Sequence, residues 1–387
     1  MERYPNIKGK AFVFLLFLWF LWLMNFTSRT IFSPIMPLIE DEFLIGHARA
    51  SSLFAFNNLG YGISLFFSGI FAGFLGYKRS IMLSMITSTC LFFFIPYVKL
   101  FSLLSFFSFI LGMSAGVYLP SIIPLITEHF EEKSWGKAIA IHDSAASISI
   151  FSAPFIALFL LKFLKWREIF DVFGVVCMVC IIVFWLTCNE LKIKKVKGDL
   201  FRGIMKRRSL WVMGIIWVFS AGACLGVYFV VPLYLTKELS LDIAYANKIF
   251  GISRIGGVFV AIMAGFIVDR FSVKKAMFYM ILATGILTLC MTYRDVRFIE
   301  VFLFLQASVS IGFFPVGLVT ISRMFEKEHR SMATGFIVAL GVVFGLGVLP
   351  YLLGLAGDHL SFRLGIFLFG ILVIFSSGLI YFLKELK

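Results

Sequence analysis

Two arginines stand inside long apolar runs of the sequence, and their chemistry asks for an explanation first. Arg29 lies in NFTSRTIFS, where Asn25, Arg29 and Ser33 are spaced i, i+4, i+8 with Ser28 beside them. On a helix that spacing makes one face polar, while Phe26 and Ile31 point elsewhere. Arg254 shares a helical face with Asn247, Gly251, Gly257, Ala261 and Gly265, small residues that let a neighbouring backbone or a ligand approach closely. A charged side chain in hydrocarbon costs about 2.5–3.5 kcal/mol and turns toward a partner or a cavity. The guanidinium's planar fork suits a carboxylate or a phosphate.

Asp143, preceded by His142, is the acidic residue set more than a turn inside an apolar run. One acid cannot neutralise two deep arginines, so an anionic substrate held by Arg29 and Arg254 would supply the missing charge. The plainer alternative is structural pairing of at least one of them. His142 and Asp143 are also candidates to carry a coupling proton, since an imidazole changes charge near neutral pH. Equally, Asp143 could complement a helix N-terminus with His142 facing the loop. Asn25, Tyr118, Tyr228 and Gln306 are candidate substrate contacts; Tyr118, Tyr228, Gln306 and also Asn58 read just as well as hydrogen bonds between helices.

The elements that must position these residues follow from composition. The 387 residues are 60% hydrophobic and 14% charged, with a mean hydropathy of +0.98. A soluble domain carries about a quarter charged residues and must still clothe its outside in polar groups. Lipid is therefore the expected solvent. Crossing it takes about 20 helical residues, and twelve such runs are predicted at 11–37, 50–75, 79–98, 101–127, 137–161, 170–188, 209–235, 247–268, 274–293, 298–322, 331–354 and 363–383. The polar stretch 189–208, NELKIKKVKGDLFRGIMKRR, divides them six and six. The expected architecture is an all-α membrane protein: an N-terminal six-helix bundle over 1–188, a basic cytoplasmic linker over 189–208, and a C-terminal six-helix bundle over 209–387. The sequence AGF recurs at 72–74 and 264–266, at corresponding ends of the second span of each half.

Charge then sets direction. Of 35 Lys and Arg residues, 23 fall in the termini and loops that share a side with the linker, and 10 fall in the opposite loops. Arg29 and Arg254 remain. That asymmetry places both termini and the linker in the cytoplasm, and the net charge of +14 then needs no nucleic acid. At 1.5 Å per residue Arg254 sits about 16 Å from the inner end of its span, near the bilayer centre, and Asp143 only about 9 Å from Lys137. The first apolar run follows Arg3, Lys8 and Lys10 without a small-residue cleavage site, which reads as an uncleaved span rather than a signal peptide. Six cysteines lie in or at the ends of apolar runs; the pair Cys177 and Cys180 has redox spacing but reads more simply as two small apolar side chains.

The motifs around the loops resemble those of the major facilitator superfamily over essentially the whole length. Gly265, Asp269, Arg270, Lys274 and Lys275 match the family's signature G-x-x-x-D-R-x-G-x-[RK]-[RK], with Ser272 in place of the second glycine. Pro120, Glu128, Phe130, the run Gly136, Lys137, Ala138, then Pro154 and the pair Trp166, Arg167 are similar to its fourth and fifth helices. Pro350, Gly354 and Asp358, followed by Ser361, Phe362 and Arg363, are similarly placed between the last two. The resemblance implies a gate of Gly265, Asp269, Arg270 and Glu128 at the cytoplasmic face, and a central cavity lined by the first, fourth, seventh and tenth helices. One departure stands out: the first-half copy runs from Gly73 to Lys78 and Arg79 as though the four residues holding the Asp-Arg pair were deleted. An asymmetric gate is expected, unless Lys78 and Arg79 simply end the second span.

The expected function is secondary active transport of a small organic anion by alternating access, coupled to protons, across the cytoplasmic (inner) membrane. A monomer is expected, with no enzyme activity, cofactor or metal. An exporter of hydrophobic or cationic compounds would want an unpaired acid in the cavity. A non-transporting sensor on this scaffold would need a signalling domain, for which the short linker and tails leave no room. A membrane enzyme would need a metal-ligand spacing, a nucleophile elbow or a phosphate loop; the five histidines are scattered singly.

Overall fold

A chain in lipid must satisfy its backbone polar groups internally, and the computed structural model is accordingly helical. It describes residues 4–188, 204–257, 259–260, 263, 272–293 and 295–385. The helices are α1 (Lys10–Phe43), α2 (His47–Leu75), α3 (Tyr77–Tyr97), α4 (Phe101–His129), α5 (Glu132–Leu160), α6 (Glu168–Thr187), α7 (Arg208–Glu238), α8 (Ile243–Ile252), α9 (Val273–Cys290), α10 (Val296–Met324), α11 (Met332–His359) and α12 (Phe362–Phe382). Ten described helices are long and apolar enough to cross a membrane; α2 and the span that begins with α8 complete the set of twelve. The fold is the twelve-helix, two-bundle architecture of an all-α, multi-pass membrane protein. The linker residues 189–203 and the expected gate residues Gly265, Asp269 and Arg270 lie outside the described residues, as do AGF 264–266 and the side chains of its counterpart 72–74.

Two observed helices differ from the predicted spans. The first runs on to Phe43 although Pro34 and Pro37 fall within it. The eighth is not one unbroken helix over 247–268. Its ladder gives way at Ser253 and Arg254, where Arg254 N–H bonds the Gly251 carbonyl at 3.0 Å and Gly257 N–H bonds the Arg254 carbonyl at 3.3 Å. These tight i to i−3 bonds follow from the local sequence. Gly251, Gly256 and Gly257 hold a helix weakly, and the Ser253 hydroxyl donates to the Phe250 carbonyl at 2.6 Å.

Packing divides the chain into two compact units, Met1–Phe32 with Leu59–Val196, and Ser33–Asn58 with Lys197–Lys387. In the first unit α2 and α4 nearly touch: a Cβ on Gly60 would stand 2.1 Å from the Phe109 carbonyl oxygen, and one on Gly116 2.6 Å from that of Tyr61. In the second, α7 and α11 do the same through Gly226 and Gly345, whose added Cβ atoms would meet the Gly345 and Val218 carbonyl oxygens at 2.3 and 2.6 Å. Lipid offers no hydrophobic incentive for helices to associate, so such close contact supplies the attraction.

Prolines in the second unit leave carbonyls to be filled. Pro232 has no N–H for the Tyr228 carbonyl one turn back, and the Ser33 hydroxyl donates to that oxygen at 2.9 Å. Pro350 likewise releases the Leu346 carbonyl, and Asn58 Nδ2 donates to it at 3.2 Å. Asn247 Nδ2 donates to the Pro34 carbonyl at 3.2 Å. Three side-chain hydrogen bonds thus tie residues 33–58 and 247 into the unit's backbone. Helix starts are capped in the usual way: Asp242 accepts from Ala244 N–H, Asp295 from Arg297 N–H and Ser361 from Leu364 N–H.

The glycine contacts carry a prediction. Gly345→Val forces backbone atoms apart in a packed crossing, an overpacking cost of about 1–3 kcal/mol. The apparent Tm of the purified protein in detergent should fall, whereas Gly378→Val, with open space around its Cβ position, should leave it unchanged.

Candidate functional site

In the second unit, α7 departs from regular helix at Gly222–Gly226, a wide π turn. Such a turn breaks the i to i−4 ladder and turns carbonyls aside. Two neighbouring ones are taken by side chains: Gln306 Nε2 of α10 donates to the Ala223 oxygen at 2.7 Å, and Arg254 Nη1 reaches the Cys224 oxygen at 3.5 Å. Gln306 also donates to Thr288 Oγ1 at 3.3 Å. The guanidinium of Arg254 lies over the Tyr228 ring, 4.8 Å from its centroid, and 5.4 Å from that of Phe250. Three sequence candidates, Arg254, Tyr228 and Gln306, are therefore gathered around one bulge.

Arg254 is 5% exposed, and its Nε and Nη2 have no hydrogen-bond partner among the described residues. No carboxylate among those residues pairs with it; the groups that act on its charge are Cys224 and Tyr228. The ring faces supply a cation–π attraction of about 2 kcal/mol when desolvated. They leave the buried Nε–Nη2 edge without a partner among the described residues, and two parallel N–H groups on that edge are what a pair of oxygens on one atom accepts from. Hydrogen bonds between residues, by contrast, already occupy the amide nitrogen of Gln306.

In the first unit, Arg29 is also 5% exposed. Its guanidinium lies 3.9 Å from the centroid of Tyr61 and 5.6 Å from that of Phe26. The close approach of Gly116 to the Tyr61 backbone fixes where that ring stands. Asn25 and Tyr118 share a small cavity of about 20 Å³, lined also by Ser28, Ser88, Cys177 and Cys180. That is room for about one water rather than an organic molecule. Asn25 Oδ1 is buried there without a partner among the described residues, while Ser28 donates to the Asn25 carbonyl at 2.7 Å and the Tyr118 hydroxyl donates to the Leu18 carbonyl at 3.3 Å. The other face of α1 is fastened to α5, with Thr27 and Thr30 hydroxyls 2.9 and 3.0 Å from that of Ser149.

His142 and Asp143 point to different surroundings. His142 is 0% exposed and neither ring nitrogen has a partner among the described residues. It lies in a stack of three rings, 5.9 Å from Trp22 and 6.2 Å from Tyr118, with Trp22 and Tyr118 5.5 Å apart and 2° from parallel. Asp143 is on the exposed side of α5. Glu128 is exposed in the last turn of α4, and its expected partners in the gate lie outside the described residues. Tyr61, Phe250 and Trp22 were not among the sequence candidates. An aromatic on an apolar helix carries no sign of its own until a guanidinium or imidazole is found on its face.

The sequence profile of the Major Facilitator Superfamily matches residues 18–296 and 226–387. The chain is 24% identical over 321 residues to a TsgA homolog from Serratia proteamaculans, covering 80% of this chain and 79% of that protein. It is 22% identical over 375 residues to a probable nitrate transporter, NarT, from Staphylococcus haemolyticus, covering 93% and 94%. Among solved structures, a bacterial homolog of the human lysosomal transporter Spinster, crystallised inward-facing and unoccupied, superposes with a TM-score of 0.82 at 13% identity over 98% of this chain and 99% of that one. With the profile spanning nearly all its helices, the chain belongs to the major facilitator superfamily of membrane transporters.

Proposed function

We propose that the protein is a secondary active transporter of a small organic anion, coupled to protons and working by alternating access in the cytoplasmic membrane, with both termini in the cytoplasm. The observation that carries the reading is Arg254: a buried guanidinium whose Nε and Nη2 lack partners among the described residues. A carboxylate accepting from that edge would pair the charge and both donors at once. Arg29, held on Tyr61, is the second anion contact in this proposal. Tyr228, Asn25, Tyr118 and Gln306 shape the approach, the first by covering one face of the Arg254 guanidinium. The two six-helix halves, 1–188 and 209–387, are the bodies expected to rock, with Gly265, Asp269, Arg270 and Glu128 as the gate. His142 and Asp143 are the proposed coupling groups, His142 because its buried ring has two nitrogens without partners among the described residues.

A planar inorganic oxyanion is the second reading. The similarity to a protein described as a probable nitrate transporter supports it, and the same edge of Arg254 would serve two nitrate oxygens.

Uptake into proteoliposomes decides among these. Wild type should take up a carboxylate or nitrate in preference to neutral and cationic solutes, and Arg254→Ala should lose at least about tenfold of that rate, a charge-assisted hydrogen-bond pair being worth 1.5–3 kcal/mol or more per bond. Equal cation transport by both proteins, with every anion ignored, would sink the proposal and favour an exporter. The same arginine gives a thermodynamic expectation. Replacing Arg254 by Met removes a desolvated charge costing about 2.5–3.5 kcal/mol and a cation–π contact of about 2 kcal/mol. It also withdraws the donor to the Cys224 carbonyl, a loss that offsets the gain in lipid, so the ligand-free variant should melt no higher than wild type while losing any stabilisation by added anion. For coupling, Asp143→Asn and His142→Gln should each flatten the dependence of uptake on an imposed pH gradient. A gradient dependence identical to wild type in both would remove this pair from the proton path.

A further inference from the structure

Outside the arginine sites, another set of titratable groups is held at close range, around the turn that joins α1 to α2. Glu40 is buried, and its Oε2 lies 2.7 Å from His47 Nδ1. Lys237, in the last turn of α7, stands 3.8 Å from Glu40 Oε1 and pairs with Asp41. Asp358, near the end of α11, accepts the backbone N–H groups of His47 and Ala48 at 2.7 and 2.9 Å. Phe362 of α12 lies against the imidazole, ring centroids 4.8 Å apart. Arg363, next in sequence, is turned to a neighbouring set, its amide donating to Glu238.

The backbone is built for this approach. A Cβ on Gly46 would stand 2.9 Å from Asp358 Oδ1, and one on Gly354 2.7 Å from the His47 carbonyl oxygen. Around the imidazole stand the carboxylates of Glu40 and Asp358 and the ammonium of Lys237, which also pairs with Asp41. The imidazole, 24% exposed, is the member whose charge changes near neutral pH.

We infer that His47 and Glu40 form a proton-binding site which, when occupied, fastens the segment 33–58 to the ends of α7, α11 and α12. By the charge asymmetry of the loops this is the outer end of the helices, so the proton comes from outside. Occupation adds a cation beside Asp358 of α11 and converts the Glu40 contact into a charge-assisted hydrogen bond. The Ser33, Asn58 and Asn247 hydrogen bonds join neutral groups to backbone oxygens. The hydrogen bond and charge of Glu40, with the charge of Asp358, raise the His47 pKa above its ordinary value near 6.5, against burial and Lys237. The Glu40 share of that raise lies within the segment; the Asp358 share crosses to α11, against Lys237 of α7, and it is this share that contributes attachment below the ordinary value and is lost as pH rises through the raised one. The consequence for transport rests on the proton-coupled reading above: a proton taken from outside would close the outer end. The binding itself stands without that reading.

Hydrogen exchange read by mass spectrometry tests the inference on the full chain in lipid nanodiscs, with no anion added and intrinsic rates corrected for pH. Wild-type peptides within 33–58 should exchange about fivefold faster above the His47 transition than below it, while peptides from 101–129 stay constant. His47→Gln should show the fast rate at every pH. His47→Lys, a cation at every pH, should show the slow one, and Glu40→Gln should move the transition toward lower pH. If His47→Gln kept the wild-type pH dependence, or the wild type showed none, the site would not exist. Since neither Arg254 nor any anion enters the measurement, failure of the anion proposal leaves this result untouched, and the reverse also holds.

Discussion

A polar group inside a bilayer has no water to fall back on, and that condition governs nearly every polar contact in this protein. Its clearest expression is the pair of carbonyls released by Pro232 and Pro350, those of Tyr228 and Leu346, each met by a side chain from residues 33–58. In water such carbonyls would be solvated at no cost to the fold. In lipid an unmet one costs several kcal/mol, so Ser33 and Asn58 are structural for the same reason that a helix cap is. The same condition makes the exceptions informative. Arg254 Nε and Nη2 and both nitrogens of His142 are among the buried side-chain atoms with no partner among the described residues.

The Arg254 site depends on two irregularities that lean on one another. The π turn at Gly222–Gly226 aims the Ala223 and Cys224 carbonyls away from the ladder of α7, and Gln306 and Arg254 take them up. Gly226 in that turn lies against Gly345 of α11, so the bulge sits where α7 has least freedom to straighten. Opposite it, the tight bonds on either side of Arg254 keep the chain of the eighth span turned at the residue that carries the charge. A regular helix in either place would return the carbonyls to their own ladder. The guanidinium would then have its aromatic faces and no oxygen at all.

Much of this was readable in the sequence, and the limits have physical causes. Twelve apolar runs of bilayer length follow from composition and spacing, and Arg29 and Arg254 emerged as the two basic residues left over when the loops were counted. The spacing Asn25, Arg29, Ser33 suggests a polar face; Ser33 bonds a backbone oxygen of α7, because periodicity says which residues share a face and nothing about what meets it. Prolines are visible in a sequence and so is the carbonyl each must release. Which helix will supply the donor is a tertiary fact. Tyr61, Phe250 and Trp22 were hidden for a related reason: among 49 Phe and 12 Tyr residues, packing alone selects those that lie on a cation or an imidazole. The break at Ser253 and Arg254 was within reach, since Gly251, Gly256, Gly257 and a back-bonding serine are all weak helix formers, but hydropathy does not register it.

The segment 33–58 shows how one membrane protein can hold a contact with two kinds of bond. Its hydrogen bonds through Ser33, Asn58 and Asn247 involve neutral groups and backbone oxygens, so their strength is indifferent to pH and little affected by salt. Its terminal cluster is ionic, with Glu40, Asp41 and Asp358 against Lys237 and His47, partly exposed and therefore open to protons and screening. A contact made only of the first kind would be too constant to respond to conditions. One made only of the second would weaken along its whole length as conditions changed. Placing the constant bonds at depth and the variable ones at the end lets the end loosen while the buried donors keep their partners, and in lipid that order is the one in which no backbone carbonyl is exposed unmet.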